Sequence, residues 1–365
     1  MEKILFKILI LFLWAGLFAM PSFAIEETIT LDESTDFKKE TNFEFAFDKP
    51  KKILFANAVI NEFSPVLNFQ GTYSADIQED GSNFTYPFII EGGGEVRFND
   101  GKSSFRAVSN FTRNVDKLDN KFLGKLSDVY YEREMAPHHK VLIGNSRIPI
   151  GIEGGKSQYG LMFAKRAQIA VRFGNARALG ARFRGDFGHI DYDLGGYSST
   201  RSLQDVTDGA EFSGMINYKP FYDSEASILK DFKTSLWVNT GVRGSGYTVS
   251  GLGAEWRYDK FLLNAEYAYA DGSNASKYRR DKSEGFYTTV AYNITDKVQA
   301  AFRYDVLDFN TEKSNDTVQK YTAGLNYYII GQRLRFSLDY TYTQNGSAIK
   351  QCDGSSIHFM TQVMI

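Results

Sequence analysis

The chain is poor in the residues that staple, kink and catalyse. Of 365 residues, one is cysteine (Cys352), seven are proline and four are histidine. A lone cysteine excludes an intrachain disulfide framework. His138, His139, His189 and His358 fall in no HExxH or CxxC spacing, so no metal motif and no cofactor is expected. The adjacent His138 and His139 read as a turn. After residue 24 there is no run of about 18 apolar residues, which excludes a transmembrane helix in the remainder. No Pro/Ser-rich linker divides residues 66–365, which read as one domain.

The N-terminus has the three parts of an export signal. Lys3 and Lys7 form a basic start, Ile8 to Ala19 an apolar run, and Ser22-Phe23-Ala24 a small-residue cleavage site. The expectation is a signal peptide over 1–24, since the run is too short for an anchor helix. Residues 25–65 open with eight acidic side chains between Glu26 and Asp48 against Lys38, Lys39 and Lys49, and read as an irregular periplasmic leader.

From Val66 a different pattern sets in. Aromatics make up 15% of the chain, with 22 Tyr and 30 Phe, alongside 32 Gly. This composition suits many strands closed by tight turns. Leu67, Phe69, Tyr73 and Ile77 alternate with Asn68, Gln70, Thr72, Ser74 and Asp76. Leu334, Phe336, Leu338, Tyr340 and Tyr342 alternate with Arg335, Ser337, Asp339, Thr341 and Thr343. Phe302 and Tyr304 oppose Arg303 and Asp305, and Leu263 and Tyr267 oppose Asn264, Glu266 and Ala268. Period two puts apolar side chains on one face and polar ones on the other. Runs of about 9 to 11 residues match a tilted membrane strand rather than the shorter soluble one.

Sixteen such strands are expected, centred near residues 72, 93, 106, 130, 143, 181, 193, 215, 236, 254, 265, 290, 302, 325, 338 and 361. Tight connections such as Asn99 to Lys102 and Asp259-Lys260 alternate with longer ones such as Ser198 to Gly209 and Asp271 to Ser283. Pro220 to Asp231 breaks the alternation, being long where a short turn is expected. The fold expected is all-β: a 16-stranded antiparallel transmembrane barrel over 66–365, in the outer membrane of a double-membrane bacterium and in contact with its lipids. Closure removes strand edges, and this many strands leave an aqueous lumen.

The longest connection lies between the fifth and sixth strands, about Arg147 to Asn175. Residues 140–184 carry nine basic side chains and one acidic one, Glu153. The chain as a whole carries a net charge of −2, so the asymmetry is internal. Arg147, Lys156, Lys165, Arg166, Arg172, Arg177, Arg182 and Arg184 are the candidate pore-lining, anion-binding residues. With Leu179, Ala181 and Phe183 toward lipid, Arg182 and Arg184 face the lumen. Two placements of the loop stay open: folded inward to narrow the lumen, or outside against anionic headgroups. Inside, its charges escape the screening that operates beyond about 8 Å in physiological salt. Gly92-Gly93-Gly94 either makes room for such a loop or is merely a weak point in its strand. Asp271, Asp281 and Glu284 read as a solvated loop before a cation site.

Three stretches resemble the phosphate-selective porin O and P family: KVLIGNSRIPIGIE (Lys140 to Glu153), NARALGARFRGDFGHIDYDLGGY (Asn175 to Tyr197), and the run from Gly285 to Thr343. Arg147 and the Pro149-x-Gly151 turn match the family's basic-x-Pro-x-Gly pattern. The resemblance implies a sixteen-stranded homotrimeric porin passing small anions such as phosphate, with basic side chains at a constriction. The alternative is a general or sugar-type porin without anion selectivity. Neither an enzyme nor a nucleic-acid partner is expected.

Overall fold

The computed structural model describes all residues except 1–51, 56–58, 79–80, 114–122, 202–205, 225–226, 275–277 and 350–352. The chain forms one antiparallel sheet. Its strands are β1 (Ile53–Leu54), β2 (Ile60–Gln78), β3 (Gly81–Thr85), β4 (Phe88–Phe98), β5 (Ser103–Arg113), β6 (Leu123–Ala136), β7 (His139–Arg147), β8 (Arg177–Asp186) and β9 (Ile190–Ser198). They continue as β10 (Ala210–Tyr218), β11 (Lys233–Arg243), β12 (Ser245–Tyr258), β13 (Phe261–Asn274), β14 (Tyr278–Asn293), β15 (Val298–Asp308), β16 (Thr317–Ile330), β17 (Leu334–Asn345) and β18 (Gly354–Met364). β3 and β4 are one stave interrupted at Pro87, since both pair with β2. β1 is a two-residue addition on β2. Sixteen staves remain, and β18 closes on β2 with Phe359 opposite Tyr73.

Each expected strand centre lies inside one of these staves. The period-two faces hold as well. Ile143 and Phe183 are more than half exposed on the outside, while Glu266, Asp305 and Asp339 are buried on the inside. Aromatics gather near both strand ends: Tyr304, Tyr321 and Tyr342 lie in a row with centroids 5.0 and 6.4 Å apart, and Phe261 meets Tyr292 at 4.8 Å. Amphipathic rings suit the two membrane–water boundaries, where one edge is apolar and the other wet.

Some boundaries move. The first barrel strand begins at Ile60 rather than 66. A register shift between Ile60 and Glu62, followed by Pro65, interrupts the alternation there. The signal peptide, the leader as far as residue 51, and Cys352 lie outside the described residues. Asp271 to Ser283 is not a loop of that length: β13 and β14 stay paired through Asp271–Lys282 and, past a bulge, to Asn274–Tyr278. The long connection after β10 is real, running from Tyr218 at the end of β10 to Lys233 at the start of β11. It folds on itself and onto its neighbours, with the Lys219 N–H donating to the His189 carbonyl at 2.7 Å and the Trp256 indole to the Ile228 carbonyl at 2.8 Å. At the opposite barrel end, β11 and β12 are joined through Gly244 alone, in the left-handed region at φ 76°.

Candidate pore and its inward loop

A hydrogen bond from Ile148 N–H to the Ala176 carbonyl, 2.9 Å, closes the base of the 148–176 loop. Everything beyond that base lies inside the barrel. One face of the loop is apolar. Ile148, Ile150, Ala167, Ile169, Ala170 and Phe173 pack on Trp237, Val249, Ala268, Ala270, Tyr287 and Leu307 of the lumen wall. Phe163 packs separately on Ala291 and Ala301. Burying each large side chain favours this position by about 1.5–3 kcal/mol, so the inward fold is driven as a core is.

Polar anchors fix the register. The Pro149 carbonyl accepts from Ser213 on β10 (2.9 Å). Ile152 N–H donates to Glu266 on β13 (2.7 Å). Ala164 N–H donates to Asp339 on β17 (2.6 Å), and Gln168 N–H, opening the short helix α1 (Gln168–Arg172), donates to Asp305 on β15 (2.8 Å). Arg335, fully buried, donates to the Leu161 carbonyl, and Gln362 on β18 to the Tyr159 carbonyl at 3.0 Å. The loop therefore spans the lumen from β10 to β18. Carboxylates on inward faces take up the N–H groups that a non-helical segment cannot pair internally, which irregular backbone at membrane depth requires.

Glycines make the room. A Cβ on Gly253 would meet Ile152 at 2.5 Å, on Gly285 Ile169 at 2.7 Å, and on Gly324 Phe163 at 2.9 Å. Gly92-Gly93-Gly94 does not serve the loop. Gly93 lies against the Ala107 carbonyl and Gly94 against Phe63, while Gly92 faces open space. The triplet therefore lets neighbouring segments approach its own strand.

Between the polar face of the loop and the wall of β2–β4 and β15–β18 lies an open cavity of about 990 Å³. Lys165, Arg166, Arg172, Arg279, Arg303 and Lys320 line it, with Asp76 as the one carboxylate among its described lining residues. Arg166 donates to the backbone carbonyls of Glu153 and Lys156, and Arg172 to that of Phe309 (3.0 Å). Among the described residues neither Lys165 nor Lys320 has a carboxylate partner within 4 Å. Arg303 is shared between the Lys165 carbonyl (3.1 Å) and Glu153 (3.5 Å).

The other expected basic residues fare differently. Arg182 and Arg184 do project inward, but each is ion-paired, with Asp193 and Glu132. Arg177 sits in the last register pair before the loop and holds Asp128 at 2.7 Å. Lys156 is bound to Glu255 at 2.5 Å. Arg147 donates to Asn175 Oδ1 at 2.7 Å. The eight expected residues are thus divided. Lys165, Arg166 and Arg172 reach the cavity, and the remaining five do not line it.

Reading one segment missed Arg279, Arg303 and Lys320, which come from β14, β15 and β16. Arg303 had a usable signal, since the alternation of β15 already put it on the inward face. What period two cannot supply is which inward residues share a height with the loop. The structure also brings Ser74 and Ser356 to His358, at 2.8 and 3.0 Å. Both ring nitrogens are occupied by these hydroxyls, so no carboxylate orients the imidazole as a nucleophile's base requires. Asp281 accepts from Asn310 at 3.4 Å and Glu284 from Tyr267 at 2.6 Å, and no group of three potential metal ligands forms among the described residues.

A closed, lipid-facing barrel with a lumen narrowed by the 148–176 loop has the architecture of an outer-membrane porin. Comparison then supplies the family: the phosphate-selective porin O and P model matches residues 130–365, and the chain belongs to that family. A comparison with curated protein sequences gives no match. Among solved structures the fold is similar to the outer-membrane channel DcaP of Acinetobacter baumannii, with 11% identity over 85% of this chain and 99% of that one at TM-score 0.59. It is similar to Salmonella typhi OmpF, with 12% identity over 84% and 98% at TM-score 0.63. It is also similar to an anion-selective porin from Comamonas acidovorans, with 12% identity over 83% and 98% at TM-score 0.57. At these identities the likeness concerns the fold.

Proposed function

We propose that this porin passes small hydrophilic solutes by passive diffusion and prefers anions such as phosphate. The observation that carries the reading is the ratio of six basic side chains to one carboxylate around the cavity beside the loop. A charge that attracts an ion at 4 Å contributes about 1 kcal/mol in water and more near low-dielectric walls. In a lumen narrower than two Debye lengths these fields overlap across the passage. Arginine forks suit the oxygens of phosphate and carboxylate, and lysine adds mobile point charge. Lys165, Arg166 and Arg172 are the members of the expected set assigned to anion contact. Arg147, Lys156, Arg177, Arg182 and Arg184 support the wall and loop through their partners and contribute a weaker field. Membership of the phosphate-selective porin O and P family agrees with this direction.

The alternative, a general or sugar-type porin, is favoured by the neutral hydroxyls that share the cavity. Reversal potential in a KCl gradient across a planar bilayer separates the two. Anion preference is expected, and cation preference overturns it. Export by a signal peptide over 1–24, an acidic leader before the barrel, and a homotrimer complete the proposal. N-terminal sequencing of the mature protein and cross-linking in outer membranes test those parts.

A further inference from the structure

The cavity beside the loop has two chemical sides. Basic side chains occupy the loop and the wall as far as Lys320 on β16. From there the wall is hydroxylated, with Asp76, opposite Ser356, as the one carboxylate among its described lining residues. Thr322 lies opposite Thr341, and Thr341 opposite Ser356 on the next strand. Ser74 lies opposite Thr85 on β3. All five side chains border the same opening. Neighbouring strands are about 4.8 Å apart, so the hydroxyls run sideways around the wall, starting beside a lysine.

Two of these hydroxyls have bonding capacity to spare. Thr322 and Thr341 share one hydrogen bond of 3.0 Å, and Ser74 and Ser356 each bond His358. A hydroxyl offers one donor and two acceptor positions, so Thr341 and Ser356, which are only half-buried, keep part of their capacity for a solute, while Ser74 and Thr322 are buried. Thr72 and Thr343, in the same lining, make no side-chain hydrogen bond among the described residues. A hydroxylated anion whose charged end meets Lys165 or Lys320 has alcohol hydroxyls to set against the row along β17, β18 and β2, which inorganic phosphate lacks.

We infer that the channel favours anions bearing hydroxyl groups, such as polyol phosphates and sugar acids, over anions of equal charge without them. This rests on the anion reading above and names its substrate class. The test compares two monoesters of like charge and size, glycerol 3-phosphate and propyl phosphate, as blockers of chloride current through the full porin in a planar bilayer. Half-block by glycerol 3-phosphate at a concentration about five- to tenfold lower is expected, the scale of two net hydrogen bonds. Equal half-blocking concentrations overturn the inference while a KCl reversal potential favouring anions leaves the broader reading intact. A reversal potential favouring cations overturns both. Thr341→Val with Thr343→Val keeps shape and removes two hydroxyls, and should bring the blocking ratio toward one. A ratio unchanged in folded, conducting channels overturns the assignment to this wall.

Discussion

Two sets of basic side chains face one lumen and meet different neighbours. On β8, Arg177, Arg182 and Arg184 reach Asp128 and Glu132 on β6, across β7, and Asp193 on β9, and every one is ion-paired. On the loop and β16, Lys165 and Lys320 have no carboxylate within 4 Å among the described residues, and Arg166 and Arg172 donate to backbone carbonyls. Both sets look alike as sequence. What separates them is whether the fold places an acidic residue opposite, since a paired charge contributes only a dipole at a distance whereas an unpaired one contributes its full field. The density of arginine along a segment is therefore a poor guide to the potential a solute meets.

That contrast can be broken by experiment. Lys165→Glu with Lys320→Glu changes four charges at the cavity, and the ratio of anion to cation permeability, read from the KCl reversal potential, should fall by on the order of tenfold. Arg182→Glu with Arg184→Glu changes the same number of charges away from the cavity and should lower the ratio roughly two- to threefold at physiological salt, where screening acts over about 8 Å. Equal effects from the two pairs would erase the distinction. Replacing a whole pair, Arg182→Gln with Asp193→Asn, should leave the reversal potential where it was.

The anchors come next. Asp305→Ala with Asp339→Ala leaves the N–H groups of Gln168 and Ala164 without acceptors, at about 1–3 kcal/mol each. The loop should loosen, giving noisier and larger single-channel currents with less than a twofold change in selectivity. Steady currents of wild-type size would show that apolar packing alone holds the loop.

The smallest effect is expected at the barrel end, away from the loop. The Lys219 carbonyl and the Asp223 carboxylate hold the His189 imidazole above its ordinary value of 6.5. A raised value stabilises the folded turn below pH 6.5, and that contribution disappears as pH rises through the elevated pKa. Hydrogen exchange in residues 219–224 should therefore quicken above neutral pH, and His189→Gln should flatten the dependence. An unchanged profile in that variant removes His189 as the cause.

Much of the barrel could be read from the chain because lipid and water impose a two-residue period that needs no knowledge of neighbours. The inward faces of β13, β15 and β17, with Glu266, Asp305 and Asp339, were legible in that way. Their role as acceptors for the loop was not, since Glu266 and Ile152 are 114 residues apart. The glycines that admit Ile152, Ile169 and Phe163 were equally silent, because a missing side chain signals nothing until its neighbour is known.

The sequence by itself determined the class of solvent on each face, the number of staves and the segment with the most positive charge. These depend on local alternation and composition. Tertiary structure alone decided that the loop turns inward, that β14, β15 and β16 complete its basic side, and that half of the expected arginines are ion-paired. Each of those outcomes depends on which residues share a height on a closed sheet, a relation between distant parts of the chain that hydrophobic periodicity does not encode.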